Sequence, residues 1–358
     1  MVPVRNVYYL LCYAWDSADL ATRADVGSLP GDHVADLLGH VLAVRVAELL
    51  RRGLLREYVS RDEDLRSPRG RIDVGAHIRR ALRPSGRVAC VVDDLEHDVL
   101  VNRLVRTTLE RLACAVSKKD GARSLYNLAG RMPGVSLVEP SPAHFARLRL
   151  CRLTAHYRFV LNLCELILGS LLPEPGGRWS FVDFTRDVRT MGLLFESFVR
   201  NFLAREQRTF AVGRDRLAWP VEALTDGSAA LLPHMETDMT LTTAGRRCIV
   251  ETKYYADPLR VGQWGGVRRL REAHLYQLFA YMRHMEAAGK PASVGVLLYA
   301  ATGERFDHRF RLGGQELRAC ALDLDQPWPG IASDLHAFAG SLLPHPPAHA
   351  PEPLGAPA

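Results

Sequence analysis

The second half of the chain alternates between two hydrophobic periods, and the order of that alternation constrains the fold more than any other feature. Residues 189–206 place Met191, Leu194, Phe195, Phe198, Val199 and Phe202 on one side of a helix. Three β-like runs follow, near 217–223, 235–243 and 247–255, with a turn at Ala244-Gly245 between the last two. A long helix is expected over 265–287, then an apolar strand, SVGVLLYA (293–300), then further strand-like sequence over 307–324. The order α-β-β-β-α-β predicts an α/β fold around a mixed central sheet.

The first half reads differently. Residues 1–16 pack Tyr8, Tyr9, Leu10, Leu11 and Tyr13 closely, as the start of a buried strand or helix. A loop containing Gly, Asp and Pro is expected near 24–32. A helix is expected over 33–53, with apolar positions from Val34 to Leu50 at helical spacing and Gly53 as its stop. Residues 56–74 hold short β-like runs around an Arg-rich turn, and helices are expected over 97–117 and 153–171. The stretch LPEPGGRWS (172–180) is dense in Pro and Gly, so the domain boundary is placed there. The expected organisation is an N-terminal α/β domain over 1–172, a second α/β domain over 173–340, and a disordered Pro/Ala-rich tail over 341–358. There is no internal repeat.

With 358 residues the chain exceeds one core of usual size. Apolar content of 47% with 24% charged residues excludes wholesale disorder. No window approaches 18 uncharged apolar residues, and the opening MVPVRNVYYLLCYAWD lacks a cleavage site, so a cytoplasmic protein without a membrane span is expected. The seven Cys are scattered and form no C-x-x-C, so reduced thiols rather than structural zinc are expected. A net charge of +6 leans towards a polyanionic partner.

Chemistry concentrates in HMETDMTLTTAGRRCIVETKYY (234–255). Strand alternation puts Ile249, Glu251 and Lys253 on one face and Cys248, Val250 and Thr252 on the other. A hairpin turning near Gly245 brings Asp238 beside Glu251, clustering two carboxylates and one ammonium at a strand end. Two carboxylates suit Mg²⁺, a hard cation that keeps several waters. Such a cation polarises a phosphate and lowers the pKa of a bound water, while a lysine orients that water and neutralises developing charge. The Thr252 carbonyl is a candidate further ligand. Glu196, in LLFESFVRNF, is a candidate third carboxylate. Gln277 and Tyr281 lie four apart on one helical face, placed to brace the site or touch DNA. These are the groups phosphodiester hydrolysis needs, which gives a nuclease reading; the bland reading of D-x12-E-x-K is a salt-bridged hairpin on a solvated face, but the surrounding element order favours the nuclease.

Other residues carry competing readings. Glu236 suits a solvent salt bridge better than a ligand role. His234 and His274 suit structural hydrogen bonds, since Mg²⁺ prefers oxygen. Arg268, Arg269 and Arg271 either contact phosphates or line an exposed helix face. Arg5 and Asn6 either face a partner or brace the N-terminal fold. Arg69 and Arg71 sit in a projecting turn or a plain basic hairpin. No G-x-x-x-x-G-K-[ST] pattern occurs, so GTP binding by the chain itself is not expected.

The arrangement of Asp238 followed one strand later by E-T-K resembles the PD-(D/E)xK nuclease superfamily. The opening VPVRNVYYLLCYAWD, PRGRIDVGAHIRR (68–80), DDLEHDVLVNRLVRTTL (93–109), MGLLFESFVRNF (191–202), LLPHMETDMTL (231–241), IVETKYY (249–255) and LYQLFAYM (275–282) resemble the McrC family, in the same order, to about residue 340. That resemblance implies the nuclease subunit of a modified-cytosine restriction system. Its partner would be a McrB-like hexameric AAA+ GTPase that reads methylated or hydroxymethylated cytosine in double-stranded DNA. The N-terminal half would insert into the GTPase ring and stimulate it; the C-terminal half, a restriction-endonuclease-like domain, would cut DNA with Mg²⁺. Asp238, Glu251 and Lys253 are the implied catalytic residues. Family members often carry Asp in place of Glu251, and Gln also occurs in place of Glu196. Two alternatives stay open: a GTPase-activating scaffold without nuclease activity, and a stand-alone repair nuclease of the same superfamily.

Overall fold

The structure, a computed structural model, describes residues 2–21, 33–80, 86–219, 221, 225, 228–255, 257–261, 266–303 and 305–342. The expected loop at 24–32 and the expected tail from residue 343 lie outside these. The chain forms two compact units, Ser28–Asp183 and the combination of Met1–Gly27 with Phe184–Ala358. This differs from the expected division at residue 172 in both respects.

The opening residues form helices α1 (Val4–Ala14) and α2 (Ala18–Ala21). The unit Ser28–Asp183 then contains α3 (Val34–Arg52), β1 (Glu57–Leu65), β2 (Arg71–Ile72), α4 (Val74–Arg80), β3 (Val88–Glu96), α5 (Leu100–Ala113), α6 (Lys119–Gly130), α7 (Pro142–Arg147), α8 (Arg158–Gly169), β4 (Leu171–Glu174) and β5 (Arg178–Phe181). Helix α3 buries Leu37, Leu38, Val41, Leu42, Val46 and Leu49, the stripe its spacing dictates, and the chain leaves it at Gly53 with φ +93°. Helices α5, α6 and α8 pack with it. Asn102 is fully buried and spends its amide on the carbonyls of Leu55 (2.8 Å) and His97 (2.7 Å), tying the turn before β1 to the one before α5. Strands β1, β3 and β2 make a small antiparallel sheet in the order β1-β3-β2. The Pro/Gly-rich stretch proves to be a hairpin rather than a linker: β4 pairs with β5 across Gly176 and Gly177, both at positive φ. A cut at residue 172 would split that hairpin.

The other unit continues with α9 (Val188–Glu206), β6 (Ala211–Gly213), β7 (Arg216–Leu217), β8 (Met235–Glu236), β9 (Met239–Thr243), β10 (Arg246–Tyr254), β11 (Arg260–Val261), β12 (Arg268–Arg269), α10 (Glu272–Ala287), β13 (Val294–Ala301), β14 (Asp307–Leu312), β15 (Gln315–Asp323) and α11 (Trp328–Ser341). Six strands form one sheet in the order β14-β15-β13-β10-β9-β6. The β10–β13 and β13–β15 pairs are parallel and the remaining pairs antiparallel, so the sheet is mixed, as the element order implied. Every residue of β13 is buried, which requires cover on both sheet faces. Helix α10 supplies one cover: Leu278, Tyr281, Met282 and Met285 pack on Ile249, Leu297, Tyr299 and Leu317.

The N-terminus belongs to this unit because α1 finds its partners there. Tyr9 stacks on Trp328 at 4.4 Å, and Tyr13 packs against Phe198 and Phe202. Asn6 is buried and donates to the carbonyls of Leu324 and Gln326, both at 2.8 Å, so it braces the fold, while Arg5 is exposed. Asn201 on α9 donates to the carbonyls of Tyr13 and Ala14, closing the end of α1.

Three expected elements change. The run at 235–243 breaks at Thr237–Asp238 into β8 and β9, and the run at 217–223 survives as β7, with residues 220 and 222–224 outside the described ones. The helix expected from 265 starts at Glu272; Arg268 and Arg269 lie in β12, paired with β11, rather than on a helix face. No helix among the described residues is long and apolar enough to cross a membrane.

Candidate active site

The site is built on the β9–β10 hairpin. Gly245 takes φ +73° in its turn, a conformation that glycine adopts without steric cost. The antiparallel register sets Thr240 against Ile249 and Met239 against Val250, so the next step up the strand brings Asp238 to Glu251. The contact is direct: the Asp238 N–H donates to Glu251 Oε1 at 3.1 Å. Asp238 Oδ2 accepts from both the Thr252 N–H and the Thr252 hydroxyl, each at 2.8 Å. Asp238 is half-buried, Thr252 is buried and Glu251 is fully buried.

Lys253 completes the cluster. Its ammonium donates to Glu251 Oε2 at 3.3 Å and to Gln277 Oε1 at 2.9 Å. The Gln277 amide in turn donates to the Tyr281 hydroxyl at 3.1 Å, which orients the amide oxygen towards the lysine. The four-residue spacing of Gln277 and Tyr281 thus does what the sequence allowed: it braces the ammonium from α10.

The electrostatics follow from burial. Glu251 is pushed up to about 7, first by loss of solvent, then by the neighbouring Asp238 charge, with Lys253 pulling the other way. Glu196 is also raised, by burial and by Asp238. His274 is buried, shares a hydrogen bond of 2.9 Å with the Tyr299 hydroxyl and is held down at about 4 by burial and by the charges of Lys253 and Arg271. It is therefore a neutral structural histidine, and His234 is exposed.

Glu196 lies on α9 with its Oε1 held by two guanidinium groups, Arg200 at 2.7 Å and Arg214 at 2.5 Å. The same arginines reach the break between β8 and β9: Arg200 Nη1 lies 3.4 Å from the Asp238 carbonyl and Arg214 Nε 3.3 Å from that of Thr237. Thr237 is fully buried and exchanges bonds with the backbone of Asp215 in both directions; its hydroxyl also meets that of Thr240 at 3.1 Å. Sequence reasoning missed Arg200, Arg214 and Thr237. The Glu196–Arg200 spacing of four on a helix was a readable signal, whereas Arg214 and Thr237 reach the site through folding of distant segments.

The arginines before α10 serve locally. Arg268 pairs with Asp257 at 2.6 Å, and the Arg271 guanidinium lies 4.4 Å over the Tyr255 ring. Glu236 pairs with Arg216 at 3.7 Å. Five cysteines are buried; Cys114 and Cys151 are exposed.

The residues from 4 to 300 match the family model described as McrBC 5-methylcytosine restriction system component. The chain belongs to that family. The McrBC resemblance read from seven separate motifs is therefore borne out over most of the chain. The type IV methyl-directed restriction enzyme EcoKMcrBC of Escherichia coli K12 is 32% identical over 342 residues, covering 94% of this chain and 96% of the relative. Among solved structures, the half-complex from a tetradecameric assembly of Thermococcus gammatolerans McrB AAA+ hexamers with bound McrC matches with a TM-score of 0.58 at 18% identity. The match covers 94% of this chain and 76% of that one, a likeness of fold.

For this McrBC-family chain the donor set fits a hard divalent cation. Among the described residues no three His, Cys, Asp or Glu side chains converge into a protein-only cage. Mg²⁺ does not need one, since it is commonly held by one or two carboxylates with waters completing the shell. Asp238 and Glu251 would supply those two, and the upward push that the Asp238 charge exerts on Glu251 is what a bound cation would relieve.

Proposed function

We propose that the chain is the Mg²⁺-dependent DNA endonuclease subunit of a GTP-dependent restriction system that attacks double-stranded DNA carrying modified cytosine, and that its second unit is a PD-(D/E)xK nuclease domain. The observation that carries this reading is the convergence of Asp238, Glu251 and Lys253 on one hairpin in a chain of the McrBC family. Asp238 and Glu251 would hold the cation, with the Thr252 carbonyl beside them on the same strand. Bound there, Mg²⁺ would polarise the scissile phosphate and acidify a water.

The remaining work falls to the chain's own groups. Lys253 is held by Gln277 at a carboxylate rather than left in solvent, so its ammonium is pre-aimed at the place where phosphate charge develops. Thr252 fixes the Asp238 carboxylate through two donors, removing the rotational freedom that would blur the geometry. Tyr281 and His274 keep the α10 side neutral, so Lys253 is the positive group facing Glu251.

The partner is a McrB-like hexameric AAA+ GTPase, which reads the modified base. The unit Ser28–Asp183 would bind and stimulate it, with Arg69 and Arg71 in the exposed turn into β2 as candidate contacts. The related Thermococcus gammatolerans assembly of McrB AAA+ hexamers with bound McrC supports this assignment of partner.

The test is cleavage of methylated DNA with the GTPase, GTP and Mg²⁺. Asp238→Ala and Glu251→Ala should each lower cleavage more than roughly 10²-fold while partner binding persists. Cutting by both variants at the wild-type rate would sink the site assignment.

A further inference from the structure

Asp238 stands on a two-residue interruption between β8 and β9, where its N–H donates to the Glu251 side chain. Two arginines reach this interruption, Arg200 from α9 and Arg214 from the segment before β7, and Glu196 holds both. Its Oε1 gathers Arg200 and Arg214, and these two guanidinium groups touch the carbonyls of Asp238 and Thr237 respectively. Glu196 and Arg200 are mostly buried, with side chains 14% and 21% exposed, so the pair is little screened by solvent. Glu196 Oε1 accepts from two guanidinium groups, whereas Glu251 meets one ammonium, that of Lys253.

We propose that Glu196 is a positioning residue rather than a cation ligand: with Arg200 and Arg214 it forms a clamp that holds the Thr237–Asp238 backbone so that the Asp238 carboxylate meets Thr252 and faces Glu251. This inference rests on the nuclease reading of Asp238 and Glu251. It assigns work to two arginines outside the carboxylate–lysine set, and it gives the break between β8 and β9 a purpose. The break is anchored at Thr237 by Asp215 and at the two carbonyls by the clamp.

The clamp and the ligand roles differ in what a glutamine can do. Gln keeps an acceptor oxygen for both guanidinium groups but is a poor ligand for a hard cation. Mn²⁺ is the probe, titrated by EPR into the purified full-length chain, with cleavage in the presence of the GTPase as the second readout and the thermal midpoint as a check of folding. Glu196→Gln should keep Mn²⁺ affinity within about threefold of wild type. Glu196→Ala, Arg200→Met and Arg214→Met should each weaken it by roughly 10- to 100-fold, as losses of groups that orient a ligand do. The Glu196→Ala/Arg214→Met double variant should fall little further than either single one, because the residues act as a unit. Loss of Mn²⁺ binding in Glu196→Gln as deep as in Asp238→Ala would make Glu196 a ligand and overturn the proposal. So would wild-type affinity in Glu196→Ala alongside lost binding in Asp238→Ala, an outcome that leaves the nuclease reading standing. Wild-type binding and cleavage in Asp238→Ala would remove both together.

Discussion

At the residue scale the decisive quantity is the charge of Glu251. Its carboxyl is raised from 4.5 to about 7 because burial and Asp238 outweigh Lys253. A raised folded-state pKa means that the folded chain holds a proton the unfolded chain has released. Stability from this group is therefore fully present below pH 4.5 and is lost as pH rises through 7. We expect Glu251→Gln to raise the thermal midpoint at pH 8 in the absence of divalent ions, by a gain on the order of 1–3 kcal/mol, and to have little effect at pH 4.5. Melting curves at the two pH values check it, and a midpoint gain of equal size at both would show that ionisation is not the cause. Wild-type stability at pH 8 should in turn rise on adding Mg²⁺, because the cation binds the ionised form.

At the element scale the position of α10 decides whether Gln277 can reach Lys253, and Gly295 decides how near α10 can lie. A Cβ built on Gly295 would sit 2.3 Å from Met282 Sδ and 3.1 Å from Leu278 Cδ1. Met282 and Leu278 are both fully buried, so neither has free space to move into. Gly295→Ala should destabilise the protein by about 1–3 kcal/mol, the usual range for overpacking a filled core. It should also lower cleavage, since pushing α10 outward lengthens the Gln277–Lys253 bond. Denaturant unfolding and cleavage rates measured together test this; unchanged activity at lowered stability would show that α10 yields without disturbing the lysine.

At the scale of the whole molecule, the division into Ser28–Asp183 and its complement redraws the fragment that should carry GTPase stimulation. Residues 1–27 group with Phe184–Ala358, where Asn6, Tyr9 and Tyr13 are satisfied. A fragment covering 1–172 would expose the apolar face of α1 and sever β4 from β5. The fragment 28–183 should fold and raise GTP turnover by the McrB-like partner, and Lys253→Ala in the full chain should keep that stimulation while stopping DNA cutting. GTP hydrolysis measured with each protein in excess is the check. A folded 28–183 fragment that gives no stimulation, or a Lys253→Ala chain that loses it, would refute the division of labour.

Much of the fold and most of the site can be read locally. Period-2 alternation through 249–253 placed Glu251 and Lys253 on one face, Gly245 marked the hairpin, and helical spacing put Gln277 over Tyr281; each depends on residues within a few positions of one another. Motif order along the chain was enough to indicate the family. Tertiary structure alone decided what depends on distant segments. The break at Thr237 is held by Asp215 and by arginines on α9 and before β7, so no local pattern announces it. The hairpin at 171–181 and a flexible linker share the same Pro and Gly content, and strand pairing separates them. The attachment of α1 to α9 and α11 joins residues some 200 to 320 positions apart, because burial and hydrogen-bond satisfaction depend on contacts in space and not on distance along the chain.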